Sequence, residues 1–476
     1  MRYALLLISA AAAAQTPEFL EPVGKIDINR PEVAEKMPLY RRVAGDRYRS
    51  WLDNDYARRA LRLFAQATKV LEQSGGAPPS RGFHIALVPG GNHASVGFRV
   101  QTEKGTEDYP RAAYILLDPE PRAFEDTLLH ETGHVVMTML RGGSELPGIE
   151  VSSIPHSTAA LTDRATAFSE GWAIHLETLA AHMATDLPAR QRFHREQVLF
   201  GDGPWKATEY FRHSVDLMSF SQNLARYFEV RENNFAFNPA YTGPDYLRVQ
   251  LEKARDFSSL RDADQLLQSE GFYASFFFLY LMRGEARATE DAVRGRHENM
   301  LRAMAATFAS TRMEPDTPWL LHFVLQYMRL FPDEKNAIID ALDDLSHGVF
   351  VDADAARLWR EHYLAALKLE LKQLNIDGLQ AARRRRHDQV AGNPQIIFSR
   401  IGPQLPCTIP SVSIRMEPFG EAQALLFDLN TAPEGILRAI SGVTDGERAA
   451  WISGRPYAGL DDFRKRTGIH ACGPQP

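Results

Sequence analysis

The amino-acid sequence predicts an α+β protein that is predominantly α. Three observations carry this. Helix-spaced apolar positions run through most of the 476 residues. One block, residues 83–118, instead holds three short aromatic and branched runs, which read as a small sheet of antiparallel type. From residue 420 the chain alternates short helical patterns with glycine-bearing turns and reads as a separate small module.

Composition sets the outer limits. A hydrophobic fraction of 44% and a charged fraction of 24% are those of an ordinary globular chain. They exclude wholesale disorder and collagen-like repeats, and two cysteines exclude a disulfide scaffold. The length predicts two to four parts. A net charge of −6 argues against a broad nucleic-acid-binding surface. The chain has no apolar run of 18 or more residues, which excludes a polytopic membrane protein.

In chain order, residues 1–14 read as a signal peptide. Arg2 is a short basic start, YALLLISAAAAA follows, and Ala12 and Ala14 precede Gln15 in the A-x-A manner. The expected location is secreted or periplasmic. Residues 15–120 form an N-terminal helical segment and the small sheet. WLDNDYARRALRLFAQATKVLEQ (residues 51–73) is an amphipathic helix ended by GGAPPSRG. The β-like runs are residues 83–89, 94–101 and 112–118. Asp118 and Pro119 read as an N-cap and first-turn proline.

Residues 121–392 read as a helical core and lobe. FYASFFFLYLM (residues 272–282) is too short to span a bilayer and reads as a buried helix. RRRRH (residues 383–387) reads as a solvated helix end. Residues 393–419 are a proline-rich linker, and residues 420–476 the terminal module. Cys407 and Cys472 can pair in an oxidising compartment, tying the last segment to the linker, or stand as two thiols.

The chemistry-bearing motif is His130-Glu131-Thr132-Gly133-His134. On a helix, positions i and i+4 share a face, so both imidazoles can bind one metal ion. Glu131 lies beside that face, where a carboxylate can act as general base on a water activated by zinc. Leu128, Val135 and Met139, with Leu129, Val136 and Leu140, give the segment helical periodicity and predict a buried helix. A catalytic zinc takes three protein ligands and leaves a position for water. The expected third ligand is Glu170 in AFSEGWAIHLE, where Phe168, Trp172 and Leu176 form the packing stripe and Glu170 lies off it. Gly171 and Ala173 are small enough for close helix approach. His156 and His175 are the weaker candidates. The metzincin pattern fails, because Met137 and Leu140 stand at its Gly and His positions.

HETGH followed by a helix bearing SEGWA resembles the gluzincin metallopeptidases, the group of thermolysin and the aminopeptidase N enzymes, whose second helix carries N-E-G-F-A. The resemblance covers residues 83–187. It implies a zincin-like catalytic core, one zinc ion held by His130, His134 and Glu170, Glu131 as general base, and a peptide or protein substrate. It implies peptide binding by addition to a strand, with residues 94–101 and 112–118 as the strands available. It also implies an oxyanion donor from the helical lobe, for which His213, Tyr241 and Tyr273 are candidates. Thirty-five residues lie between His134 and Glu170, more than in the best-known gluzincins, and no G-A-M-E-N-type segment precedes the helix. The missing segment weighs against an aminopeptidase and in favour of an endopeptidase or an uncharacterised branch.

The tail (residues 427–469) resembles the helix-hairpin-helix domains of competence DNA receptors and type II secretion minor pseudopilins. Its hairpin reads Gly442-Val443-Thr444, without the second glycine of DNA-binding members. Six Lys/Arg stand against seven Asp/Glu from Gly420 onward, so no basic footprint supports phosphate binding. A protein partner is the expectation for this module, and nucleic acid is not. The sequence thus predicts an exported zinc metallopeptidase. The alternative is an envelope DNA-binding or DNA-uptake protein acting through its tail.

Overall fold

The structure is a computed structural model. It describes residues 17–24, 37–76, 82–144, 163–183, 262–282, 289–311, 314, 316–355, 357–358, 361, 375–403, 405–410, 424–430, 437 and 442–470. The fold is α+β and mainly α, as expected. The chain divides into two compact units, Met1–Glu145 and Leu146–Pro476. The expected signal peptide lies outside the described residues. No described helix is long and apolar enough to cross a membrane.

The first unit is built on strands β1 (Glu18–Pro22), β2 (Leu39–Arg42), β3 (His84–Leu87), β4 (Asn92–Thr102) and β5 (Gly105–Leu117). They close into a barrel in the order β1-β2-β4-β5-β3. The three runs read from the sequence are β3, β4 and β5. The strands β1 and β2 replace what reads as helical text, because four or five residues with one or two buried side chains show no period. Pairing is mixed rather than antiparallel throughout. The β1–β2 and β4–β5 pairs are antiparallel, while β1–β3, β2–β4 and β3–β5 are parallel. Leu20, Tyr40, Ala86, Phe98, Val100, Tyr114 and Leu116 fill the core. Inside it the Tyr40 hydroxyl donates to Tyr114 Oη over 3.3 Å, and burial holds the Tyr40 phenol far above its ordinary range.

Helices α1 (Asp46–Arg49), α2 (Asp55–Gln73), α3 (Pro121–Asp126) and α4 (Leu128–Leu140) complete this unit. Asn54 Oδ1 accepts from Ala57 N at 2.8 Å and so starts α2 four residues after Trp51. Asp118 does not cap a helix. Its carboxylate accepts from Gly90 N at 2.8 Å, and α3 opens instead at Pro121 behind Glu120.

The second unit holds α5 (Arg164–Met183), α6 (Ala263–Leu266), α7 (Glu270–Met282), α8 (Glu290–Ser310), α9 (Trp319–Leu330), α10 (Lys335–Ser346) and α11 (Ile376–Gly392), then β6 (Pro406–Pro410), β7 (Ala424–Asp428), α12 (Asp445–Ser453) and α13 (Leu460–Thr467). The aromatic run of α7 is buried on nearly every side. The arginine run lies inside α11 rather than at its end. Arg386 there makes a bidentate, buried pair with Asp343 of α10, at 2.6 and 2.8 Å. Arg383 pairs with Asp344 at 2.8 Å. The run therefore joins two helices as well as facing solvent through Arg384 and Arg385. Strands β6 and β7 pair antiparallel. Cys407 in β6 is disulfide-bonded, and the second cysteine, Cys472, lies outside the described residues.

Candidate metal centre

Helix α4 carries the HETGH motif and packs against α2, α3, β4 and β5. Its apolar residues leave little of it uncovered. Leu128, Leu129, Glu131, Thr132, Gly133, Val135, Val136, Met137, Met139 and Leu140 are all buried. Only His130, His134 and Thr138 are half-buried, and they lie at i, i+4 and i+8 on one face. The helix thus opens a single stripe, and both histidines are on it. Their Nε2 atoms are 3.2 Å apart, with either ring able to donate according to its tautomer. The rings meet edge to face at 4.9 Å between centroids. Thr132 Oγ1 donates to Leu128 O at 2.6 Å and so satisfies its buried hydroxyl within the helix. Gly143 turns the chain at the end of α4 with φ +85°, and a Cβ there would stand 2.2 Å from Arg111 O.

Helix α5 carries the SEGWA segment. Its start is set by Asp163, whose Oδ1 accepts from Ala165 N and Thr166 N at 2.9 Å each. Burial raises the Asp163 carboxyl above its ordinary value. Phe168, Trp172 and Leu176 are buried as the periodicity predicts. Ser169, Glu170, Ile174, Glu177 and Met183 are the half-buried positions among the described side chains of α5, which puts Glu170 off that stripe. The close approach at Gly171 is to α7, rather than to the HETGH helix that the small residues suggest. A Cβ on Gly171 would stand 2.3 Å from Tyr273 Cβ and 2.7 Å from Glu270 O.

His130, His134 and Glu170 each offer one ligand atom, and these atoms all lie within 4.8 Å of one another. The group can hold a metal ion. It is the three-residue set read from the sequence. Glu131, between the two histidines in sequence, is buried.

The other candidates fall elsewhere. His175 is fully buried, with its Nε2 at 3.4 Å from His297 Nε2 of α8, and burial holds it well below its ordinary pKa. Its partners are Trp172, Phe277 and His297. Tyr273 is also fully buried and donates its hydroxyl to Leu267 O at 2.9 Å, so it has no proton to offer an oxyanion. His156, His213 and Tyr241 lie outside the described residues. The strand run at 112–118 cannot receive a peptide. Its residues Tyr114–Leu117 are paired with β3 on one edge and β4 on the other. Residues 92–96 of β4 pair with β5 on one edge only, and among the described residues no strand occupies the other.

The sequence reading missed Arg164, the first residue of α5. It is 2% exposed and donates to Asp264 Oδ1 at 2.6 Å, to Gly402 O at 2.8 Å and to Asp316 O. An arginine in a helical stretch carries no sequence signal of burial, because its partners come from three distant segments.

No family model, curated protein or solved structure matches this chain. The functional reading therefore rests on the residues themselves.

Proposed function

We propose that the protein is an exported zinc-dependent metallopeptidase of gluzincin type, hydrolysing peptide bonds in a peptide or protein substrate. The observation that carries this is the His130–His134–Glu170 group, in which both histidines lie on the one open face of α4 and Glu170 comes from α5. The donor set suits zinc. Two nitrogens at zinc-bonding distance, subtending a tetrahedral angle, stand about 3.3 Å apart. The two Nε2 atoms stand 3.2 Å apart. Two imidazoles and one carboxylate are also a catalytic set, since three protein ligands leave a fourth position for water.

His130, His134 and Glu170 would hold the zinc ion, which would supply Lewis acidity toward a carbonyl oxygen and a bound water with a pKa lowered to about 7. Glu131 takes the proton of the attacking water and returns it to the departing amine. An extended peptide adds to the open edge of β4 at residues 92–96, on a strand that packs against α4.

Export is supported by the signal-like residues 1–14 and by the disulfide bond at Cys407, since structural disulfides persist in oxidising compartments. A DNA role for the tail has a structural argument against it. Thr444 Oγ1 accepts from Glu447 N at 3.2 Å, and Glu447 Oε2 accepts from Thr444 N at 2.8 Å. This capping box places a carboxylate at the start of α12, where a phosphate would otherwise sit. We assign the module to protein contact.

The test is metal analysis of purified protein after dialysis against trace zinc. One zinc per chain in the wild type, and none in His134→Ala, is the expected result. A wild type without stoichiometric zinc would remove the proposal.

A further inference from the structure

We propose that the C-terminal module is an internal brace that positions α5, and with it Glu170, through Arg164. This rests on Glu170 being a metal ligand. Arg164 stands six residues before Glu170 on the same helix, about 9 Å along its axis. Its guanidinium is buried and reaches three segments: Asp264 at the start of α6, Asp316 O before α9, and Gly402 O at the end of the connector after α11.

Gly402 is held twice, because its N–H also donates to Asp264 Oδ2 at 3.0 Å. The next residues of the connector are held from the other side by the terminal module. Asp428 Oδ1 accepts from Leu405 N at 3.1 Å and from Asn430 N at 2.9 Å, while its Oδ2 accepts from Gln268 Nε2 at 3.3 Å. Asn430 Nδ2 donates to Pro403 O at 3.3 Å and to Tyr457 O at 3.1 Å, and Asn430 Oδ1 accepts from Tyr457 N at 2.7 Å. Trp451 Nε1 donates to Leu429 O at 2.9 Å, which fixes the turn to α12.

The connector at 402–405 is therefore clamped between the α5–α6 ion pair and the Asp428–Leu429–Asn430 turn of the module. A hairpin-helix tail attached only by a flexible linker needs none of these buried bonds. Apart from the exposed Pro403, the residues making these bonds to the tail are buried or half-buried, so releasing the tail leaves several acceptors and donors without partners at once. Arg164 then loses the Gly402 carbonyl from a guanidinium that has no access to water. The nearest relief is a shift of the start of α5. Arg164 is a positioning residue in this account and touches no substrate.

The test uses the full chain and reads zinc affinity by competition with a chromophoric chelator, alongside the visible absorption of the cobalt-substituted protein. Asn430→Ala and Asp428→Ala release the connector and leave Arg164 in place, and Arg164→Met removes the guanidinium. The expected result is zinc binding at least tenfold weaker in all three, with a changed cobalt spectrum and partial rescue in Arg164→Lys. Arg386→Met, which breaks a buried pair between α10 and α11, should lower the unfolding temperature and leave zinc affinity and the cobalt spectrum as in the wild type. If Arg164→Met does not fold, Asn430→Ala decides. Wild-type affinity and spectrum in Asn430→Ala and Asp428→Ala would overturn the brace. A wild type that binds no zinc would instead overturn the metal centre itself, and the brace with it.

Discussion

The Nε2 atoms of His130 and His134 face one another across 3.2 Å on the only stripe of α4 that is not buried. The rest of the helix is held by its apolar contacts, so packing fixes the backbone positions that carry the two imidazoles. Replacing either one by alanine should abolish stoichiometric zinc binding while the first unit stays folded, because neither ring belongs to the packed face. Far-ultraviolet circular dichroism with metal analysis on the same samples checks both halves. A variant that still holds one zinc per chain would contradict the ligand assignment.

Gly171→Ala should be costly out of proportion to one methyl group. The new Cβ meets Tyr273 Cβ and the Glu270 carbonyl, so α5 or α7 must move. Overpacking of this kind costs about 1–3 kcal/mol. Chemical denaturation reads the loss. Since Glu170 precedes Gly171, zinc affinity should fall as well.

The ion pair of Arg386 with Asp343 makes a stability prediction independent of function. Both side chains are less than a tenth exposed, at 5% and 9%. Arg386→Met alone leaves a buried carboxylate without its partner and should cost about 3–5 kcal/mol. The double replacement Arg386→Met with Asp343→Leu should recover most of that. A single variant as destabilised as the double one would show that the charge pair is not the cause.

Acid sensitivity should contain a contribution from Glu18. Hydrogen bonding to His84 is the main cause that holds its carboxyl down at about 2, with Arg42 adding to it against the opposing effect of burial. A carboxyl depressed on folding stabilises the native state above its unfolded pKa, near 4.5, and loses that contribution as pH falls through about 2. Glu18 is 40% exposed, so screening keeps the effect below about 1 kcal/mol. Between pH 4.5 and 2 the wild type should lose more stability than Glu18→Gln. Parallel stability curves would refute the assignment.

The tail should not bind duplex DNA. With Glu447 capping α12 and six Lys/Arg against seven Asp/Glu from Gly420 onward, the full chain should show no salt-dependent DNA binding even at low ionic strength. Binding that appears in the wild type and weakens steeply with salt would favour the alternative function.

The sequence makes some of these features readable and hides others for physical reasons. The metal triad is legible because HExxH is a local, helix-spaced pattern, and because Glu170 stands beside a conspicuous Phe168–Trp172–Leu176 stripe. Strands β1 and β2 are not legible, since their five and four residues are defined by the barrel partners they find. Asp118 reads as a helix cap from its neighbours, yet a turn at Gly90 takes its carboxylate. Arg164 and Asn430 look like ordinary surface residues. Their roles come from partners a hundred or more positions away for Arg164, and 27 for Asn430.

The most direct measurement is hydrolysis of a quenched fluorescent peptide library by zinc-loaded wild type and by Glu131→Gln at equal metal content. The account predicts cleavage by the wild type. It predicts one zinc per chain in both proteins and a rate lower by about 10²–10⁴-fold in Glu131→Gln, the range for loss of a general base. Equal rates in the two proteins, or no cleavage by a wild type carrying its zinc, would contradict it.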